Sequence, residues 1–198
     1  MRVWFAAAML AALSACATVE TNNSPPEVIA AAKYREPGPA SLTLMTMVNN
    51  RTGGGGHTAL MINGSQRVIF DPAGSFVNDR VPERDDVLYG VSPPVLAGYK
   101  SAHARSTFHV VSQTVQVTPA QAETALRLAQ QNGPVPRLFC TSATTELLRQ
   151  VPGFQDIQQT MFPTNLMEQM ERRVGVKTDR YYEDDDGTII DGVARVQL

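Results

Sequence analysis

The sequence has little of what marks a nucleic-acid binder, a structural zinc domain or a membrane-spanning protein. Basic and acidic side chains nearly balance, 17 Lys and Arg against 19 Asp and Glu, whereas a nucleic-acid partner calls for a basic excess. Only two cysteines are present, Cys16 and Cys140. That excludes a cysteine-rich zinc site and a disulfide-stapled miniprotein. The three histidines, His57, His103 and His109, lack the short spacings of a metal motif. A metal site from His57, His109 and Asp71 is therefore disfavoured, and neither metal nor cofactor is expected. The apolar run at residues 3–13 is too short to cross a bilayer as a helix. What is present is 198 residues at 43% hydrophobic content, enough for one domain with its own core plus a leader or tail.

Arg2 followed by that apolar run has the form of an export signal. Leu13-Ser14-Ala15-Cys16 follows at once and resembles the lipobox of bacterial lipoproteins. The resemblance implies cleavage before Cys16, a thioether-linked lipid on it, and a mature chain held at a membrane by acyl chains. Ala17 next to Cys16, in place of an acidic residue, points to the periplasmic face of the outer membrane. An ordinary secretory signal containing a cysteine is the alternative. Residues 1–15 are thus expected to be a signal peptide and 40–198 a single domain. Between them, residues 16–39 are rich in Thr, Asn, Ser, Pro and Ala and read as a tether with a short helix at 26–33.

Within the domain, alternation predicts strands at 41–48, 57–62, 66–71 and 107–117. Four consecutive glycines precede His57, and Asn63-Gly64 signals a hairpin. Residues 76–94 are polar and turn-rich and carry no assignment. Thr118, Pro119 and Gln121 open a helix with a capping box, ending at Asn132-Gly133. Further helices are expected at 139–150 and at 164–174, the second capped by Thr164 and ended by Gly175. Tyr181-Tyr182 and Ile189-Ile190 flank a turn at 184–187 and read as a C-terminal hairpin. The fold class expected is α+β, an antiparallel sheet packed against helices.

With Cys16 committed to lipid, Cys140 is the one thiol of the mature chain. It sits where a Pro134/Pro136 loop turns into a helix. A helix N-terminus favours thiolate over thiol, and its free N–H groups can hold an oxyanion. A buried, inert cysteine is the alternative. The base best placed by sequence is His57, at the head of a strand. His103, in Lys-Ser-Ala-His-Ala-Arg-Ser, reads as a solvated surface residue, and His109, beside Phe108, as a packed one. A third group should orient the imidazole. A three-residue hairpin loop at 63–65 sets His57 opposite Asp71, and a two-residue loop sets it opposite Phe70. Asp71 as the opening residue of an Asp-Pro turn is the competing reading.

The stretches His57-Thr58-Ala59-Leu60-Met61-Ile62-Asn63-Gly64, Val68-Ile69-Phe70-Asp71 and Phe139-Cys140-Thr141-Ser142 resemble the circularly permuted branch of the NlpC-like papain-fold superfamily. That branch includes lecithin:retinol acyltransferase-like proteins and permuted bacterial lipoproteins. The resemblance spans residues 41–150. It implies a permuted papain-like domain with Cys140 as nucleophile at a helix N-terminus and His57 as general base. Asp71 stands near the family's third polar residue, often a His. The implied activity is that of a thiol hydrolase (peptidase or amidase) or acyltransferase acting on an amide or acyl bond. At the cell envelope, peptidoglycan peptides are the nearest substrate and lipids the second. An envelope lipoprotein that uses the same domain for binding or scaffolding is the alternative from another class.

Overall fold

The computed structural model describes residues 23–185 and Gly187. The expected signal peptide and Cys16 lie outside the described residues, as does the Ile189-Ile190 arm of the expected C-terminal hairpin. No helix among the described residues is long and apolar enough to cross a membrane.

The chain is α+β. Helix α1 (Pro26–Ala31) precedes three strands, β1 (Ser41–Asn49), β2 (Gly55–Asn63) and β3 (Arg67–Phe70). Two short strands, β4 (Glu83–Arg84) and β5 (Val87–Leu88), lead to helix α2 (Pro93–His103) and strand β6 (Phe108–Gln116). Helices α3 (Pro119–Gln131), α4 (Cys140–Arg149) and α5 (Pro163–Glu171) follow, then strand β7 (Lys177–Tyr181). All strands join one antiparallel sheet in the order β4-β5-β3-β2-β1-β6-β7.

Period-two alternation divides two cores between the faces of this sheet. Leu42, Leu44, Leu60, Ile62, Val68 and Phe70 point to one face, under α3, α4 and α5. Met45, Met47, Ala59, Ile69 and Val110 point to the other, under α2 and Phe76. The sheet is therefore covered on both sides.

Strands β4 and β5 lie within the unassigned stretch 76–94, and helix α2, which begins at its end, was not predicted. Pro93 and Pro94 occupy its first turn, and Val95, Tyr99, Ala102 and His103 form its buried stripe. The capping box on α3 is present as expected, with Thr118 and Gln121 bonded reciprocally and Gly133 left-handed after the helix. Helix α5 starts one residue before the expected cap: Pro163 opens it, Phe162 is its N-cap, and Thr164 lies inside. It also ends before the Gly175 expected to stop it.

The β2–β3 hairpin uses neither of the two loops considered. Asn63 stays in the strand, paired with Arg67, and residues 64–66 make the turn. The reason is local. The Asn63 side chain is tied to the Glu36 backbone and to the Pro39 carbonyl, so Asn63 is not free to turn. Relative to the three-residue loop the register is shifted by two residues, which preserves the side-chain parity. His57 and Asp71 therefore still share a face.

Over residues 23–39 the expected tether is instead bound to the domain. Ser24 N–H donates to the Glu83 carbonyl (2.7 Å), Arg67 N–H to the Tyr34 carbonyl (2.6 Å), and Arg67 pairs with Glu36 (2.8 Å). The short helix begins at Pro26, as expected, and stops at Ala31.

Leu148 is fully buried between α4 and the sheet. Leu148→Ala is expected to cost about 2–5 kcal/mol, read as a lower denaturant midpoint at unchanged slope. A cost below about 0.5 kcal/mol, the level of an ordinary surface substitution, would contradict the seating of α4 on this face.

Candidate active site

Three separate segments deliver the site. Strand β2 enters along a glycine-rich edge and presents His57 on the α2 side of the sheet. A Cβ at Gly55 would stand 2.5 Å from Pro163 Cβ, so only glycine lets β2 lie against the start of α5 there. Asp71 follows β3 and opens a turn closed by Gly74 N–H to the Asp71 carbonyl (2.9 Å). A Cβ on Gly74 would collide with the Asp71 carboxylate, 1.9 Å from Oδ2. The Asp-Pro turn and the side-chain role, set against each other by sequence, thus coexist. Cys140 is the first residue of α4, after a loop in which Leu138 is left-handed at φ 74°. Asp86 ties that loop to the Asp71 turn, its Oδ2 accepting from Val135 N–H (2.7 Å) and Ala73 N–H (3.1 Å).

The three sequence-predicted residues are brought together. His57 Nε2 lies 2.7 Å from Asp71 Oδ1. The same oxygen accepts the Tyr99 hydroxyl at 2.6 Å. With Nε2 engaged, Nδ1 is the ring nitrogen left for sulfur, and His57 and Cys140 are close enough for each to shift the other's protonation. Sulfur lies 3.8 Å from Thr141 Oγ1. Thr141 is fixed in turn by Thr58, their hydroxyls 3.1 Å apart. Cys140 is a free thiol with 9% of its surface exposed. No side chain caps the N-terminus of α4, so its first-turn N–H groups keep their donor capacity beside the sulfur.

Burial alone would push the His57 imidazole down. The charge and hydrogen bond of Asp71, helped by Cys140, override burial and raise it to about 10. Burial likewise pushes the Cys140 thiol up, but the His57 hydrogen bond and charge, with Thr141 and Thr58, bring it below the ordinary thiol value. Asp71 is buried as well, yet His57, His103 and Tyr99 hold its carboxyl below the usual range. These directions all favour the charged forms: they ease the Cys140 thiol toward thiolate beside an imidazolium, with a carboxylate behind it.

His103 is where the surface reading fails. It is 1% exposed, because the α2 stripe turns it inward with Tyr99. Its ring stacks on that of His57, centroids 6.0 Å apart and planes 10° from parallel. Burial, first of all, lowers it to about 4, so it is neutral at ordinary pH. His109 is half-buried: it bonds Asn50 Oδ1 (2.7 Å) and stacks on Tyr182. It pairs across the sheet with Val48, whereas Met47 pairs with His57, so it projects from the opposite face to His57. That separates it from the metal set considered with His57 and Asp71. The residues that sequence reasoning missed are Tyr99, His103, Thr58 and Thr141. The first two were visible as part of an i, i+4, i+7, i+8 pattern behind Pro93-Pro94. The threonines carried no signal of their own.

Comparison of the chain with protein-family models, with curated proteins and with solved structures gave no match.

The sign of the pH dependence follows from the pair. His57 is raised to about 10 from about 6.5, so its pairing stabilises the fold fully below about pH 6.5, and that contribution is lost as pH climbs to about 10. Asp71 is lowered, so its contribution is present above the ordinary carboxylate range and lost as pH falls through its depressed value. Urea unfolding of wild type and Asp71→Asn should show a stability difference that shrinks steadily between about pH 6.5 and about 10. A difference constant across that window contradicts the pairing.

Proposed function

We propose that the protein is a thiol hydrolase or acyltransferase in which Cys140 is the nucleophile, His57 the general base and acid, and Asp71 the group that orients His57. The observation that carries this reading is the Asp71–His57 pair brought beside the Cys140 side chain, with the sulfur at an uncapped helix start. The fold that goes with it is a permuted papain-like domain, on the residues already quoted for the resemblance. The seven-stranded antiparallel sheet with α4 packed on β2 is consistent with that fold.

The Cys140 thiolate attacks a carbonyl carbon, forming a C–S bond and a tetrahedral oxyanion. First-turn N–H groups of α4 stabilise the oxyanion. The oxyanion collapses, the bond to the leaving nitrogen or oxygen breaks, and that atom takes a proton from His57. A water molecule, deprotonated by His57, resolves the thioester in a hydrolase, and a second nucleophile does so in a transferase. Asp71 keeps the ring in the tautomer with hydrogen on Nε2 and stabilises its charge. The nearness of Cys140 to His57 favours this over the binding-or-scaffold alternative, which a sulfur far from the imidazole would have supported.

Lipid attachment at Cys16 and a place at the periplasmic face of the outer membrane follow from the sequence and belong to the same proposal. Amide bonds of peptidoglycan peptides are then the nearest substrate. Exposed Leu138, Phe139, Met161 and Phe162 flank the N-terminal ends of α4 and α5. They suit a substrate with an apolar flank, such as an acyl chain.

Iodoacetamide should label Cys140 of the mature protein near neutral pH, located by mass spectrometry. An unassisted thiol is only a few per cent thiolate at pH 7, so His57→Ala should slow labelling roughly tenfold or more. Labelling unchanged by the substitution removes His57 from the mechanism.

A further inference from the structure

Behind the relay lies a polar cluster that the acyl-transfer reading does not use. His57, Asp71 and His103 each offer a ligand atom, and these atoms lie within 4.8 Å of one another. His103 Nδ1 is 2.8 Å from the Tyr99 carbonyl, which can only accept, so Nδ1 carries the hydrogen. His103 Nε2 therefore holds a lone pair. It is buried without a hydrogen-bond partner, on a residue 1% exposed. A buried acceptor without a partner is costly, and an imidazole lone pair is also a ligand for borderline metal ions.

We propose that His57 Nε2, Asp71 and His103 Nε2 form a binding site for a borderline divalent metal ion such as Zn²⁺, and that occupancy removes His57 as the base for Cys140. Two imidazole nitrogens and one carboxylate oxygen are an ordinary donor set for zinc with one position open. Oxygen-preferring Mg²⁺ and Ca²⁺ are disfavoured by the two nitrogens. The outer partners are already in place. His103 Nδ1 donates to the Tyr99 carbonyl, and the Asp71 carboxylate accepts from the Tyr99 hydroxyl. Such contacts fix the ring tautomers and the carboxylate orientation that a metal needs. Tyr99 thus supports two of the three ligands from one residue of α2.

The fit requires a small rearrangement. Zn–N bonds of about 2.0–2.1 Å in a tetrahedron put ligand atoms roughly 3.3 Å apart. The His57–Asp71 contact must therefore open slightly and His103 must close in. An ion would enter along His57, whose side chain keeps 15% of its surface exposed. Once Nε2 binds metal, the proton shared with Asp71 is displaced, and the ring keeps its remaining hydrogen on Nδ1. A ring in that state neither accepts a proton from a thiol nor delivers one to a leaving group. Inhibition rests on the proposed Cys–His mechanism; metal binding does not.

The test separates the two. Untagged Cys140→Ser protein, which has no thiolate for the ion to sit on, is titrated with Zn²⁺ by calorimetry. One equivalent should bind. Binding should weaken by at least about 10–100-fold in Cys140→Ser/His103→Gln, the range that loss of an outer partner alone produces. It should be unchanged in Cys140→Ser/His109→Gln. Because His103→Gln alters a buried residue, ring nitrogen spectra of the folded Cys140→Ser protein provide a second reading: Zn²⁺ should shift Nε2 of both His57 and His103. Loss of binding on removing Cys140, or shifts confined to His109, overturns the site. So does zinc affinity independent of His103. If zinc binds as described while His57→Ala leaves alkylation unchanged, the metal site stands and the enzymatic reading falls.

Discussion

A buried carboxylate organises this molecule. Asp71 is 3% exposed, and an ionised carboxylate at such a depth is tolerated only when it is paired and hydrogen-bonded. The partners come from two distant segments, His57 on β2 and Tyr99 on α2. Satisfying Asp71 therefore fixes the ring plane of His57 and the seat of α2 in the same act. The charge on the resulting imidazolium lowers the Cys140 thiol against the opposing effect of burial. Removing His57 would leave Asp71 buried with only the Tyr99 hydroxyl to answer its charge.

The other half of the site is held by packing and backbone. Helix α4 lies on the opposite face of the sheet from His57, on the core of Leu60, Ile62 and Leu148. Its first residue nevertheless meets His57, because Thr58, one step along β2, points to the α4 side and bonds Thr141. Alternation along a single strand thus lets β2 serve both partners, His57 on one face and the anchor for the sulfur's helix on the other. Asp86 adds a brace between the Asp71 turn and the loop before Cys140. The strained left-handed Leu138 lies within that loop, two residues before the sulfur.

Local chemistry made much of this legible in advance. The Thr118-Pro119-Gln121 start of α3, the strands around Leu44 and Val111, and Cys140 at the head of a helix each carry their signal within a few residues. What escaped detection depended on distant contacts. His103 sits among Lys100, Ser101 and Arg105, and a reading by neighbours makes it polar and exposed. The relevant neighbours are at Tyr99 and Val95, one and two helical turns back, and the helix joining them was not predicted from the sequence. The hairpin register failed by two residues because Asn63 is claimed by Glu36 and Pro39, far upstream in sequence. The error kept its parity, so the pairing of His57 with Asp71 survived it. Residues 23–39 have a linker's composition yet dock on β3 and β4 through backbone bonds and one ion pair, which composition does not encode.

The central claim is that a carboxylate with no direct bond to sulfur sets the state of the thiol through one imidazole. Ultraviolet absorbance of the thiolate, followed against pH with Cys140→Ser as the blank, measures that state without any substrate. The account predicts a midpoint below that of an ordinary cysteine in the folded protein, moving upward in Asp71→Asn. A midpoint at or above the ordinary value, indifferent to Asp71, would contradict it.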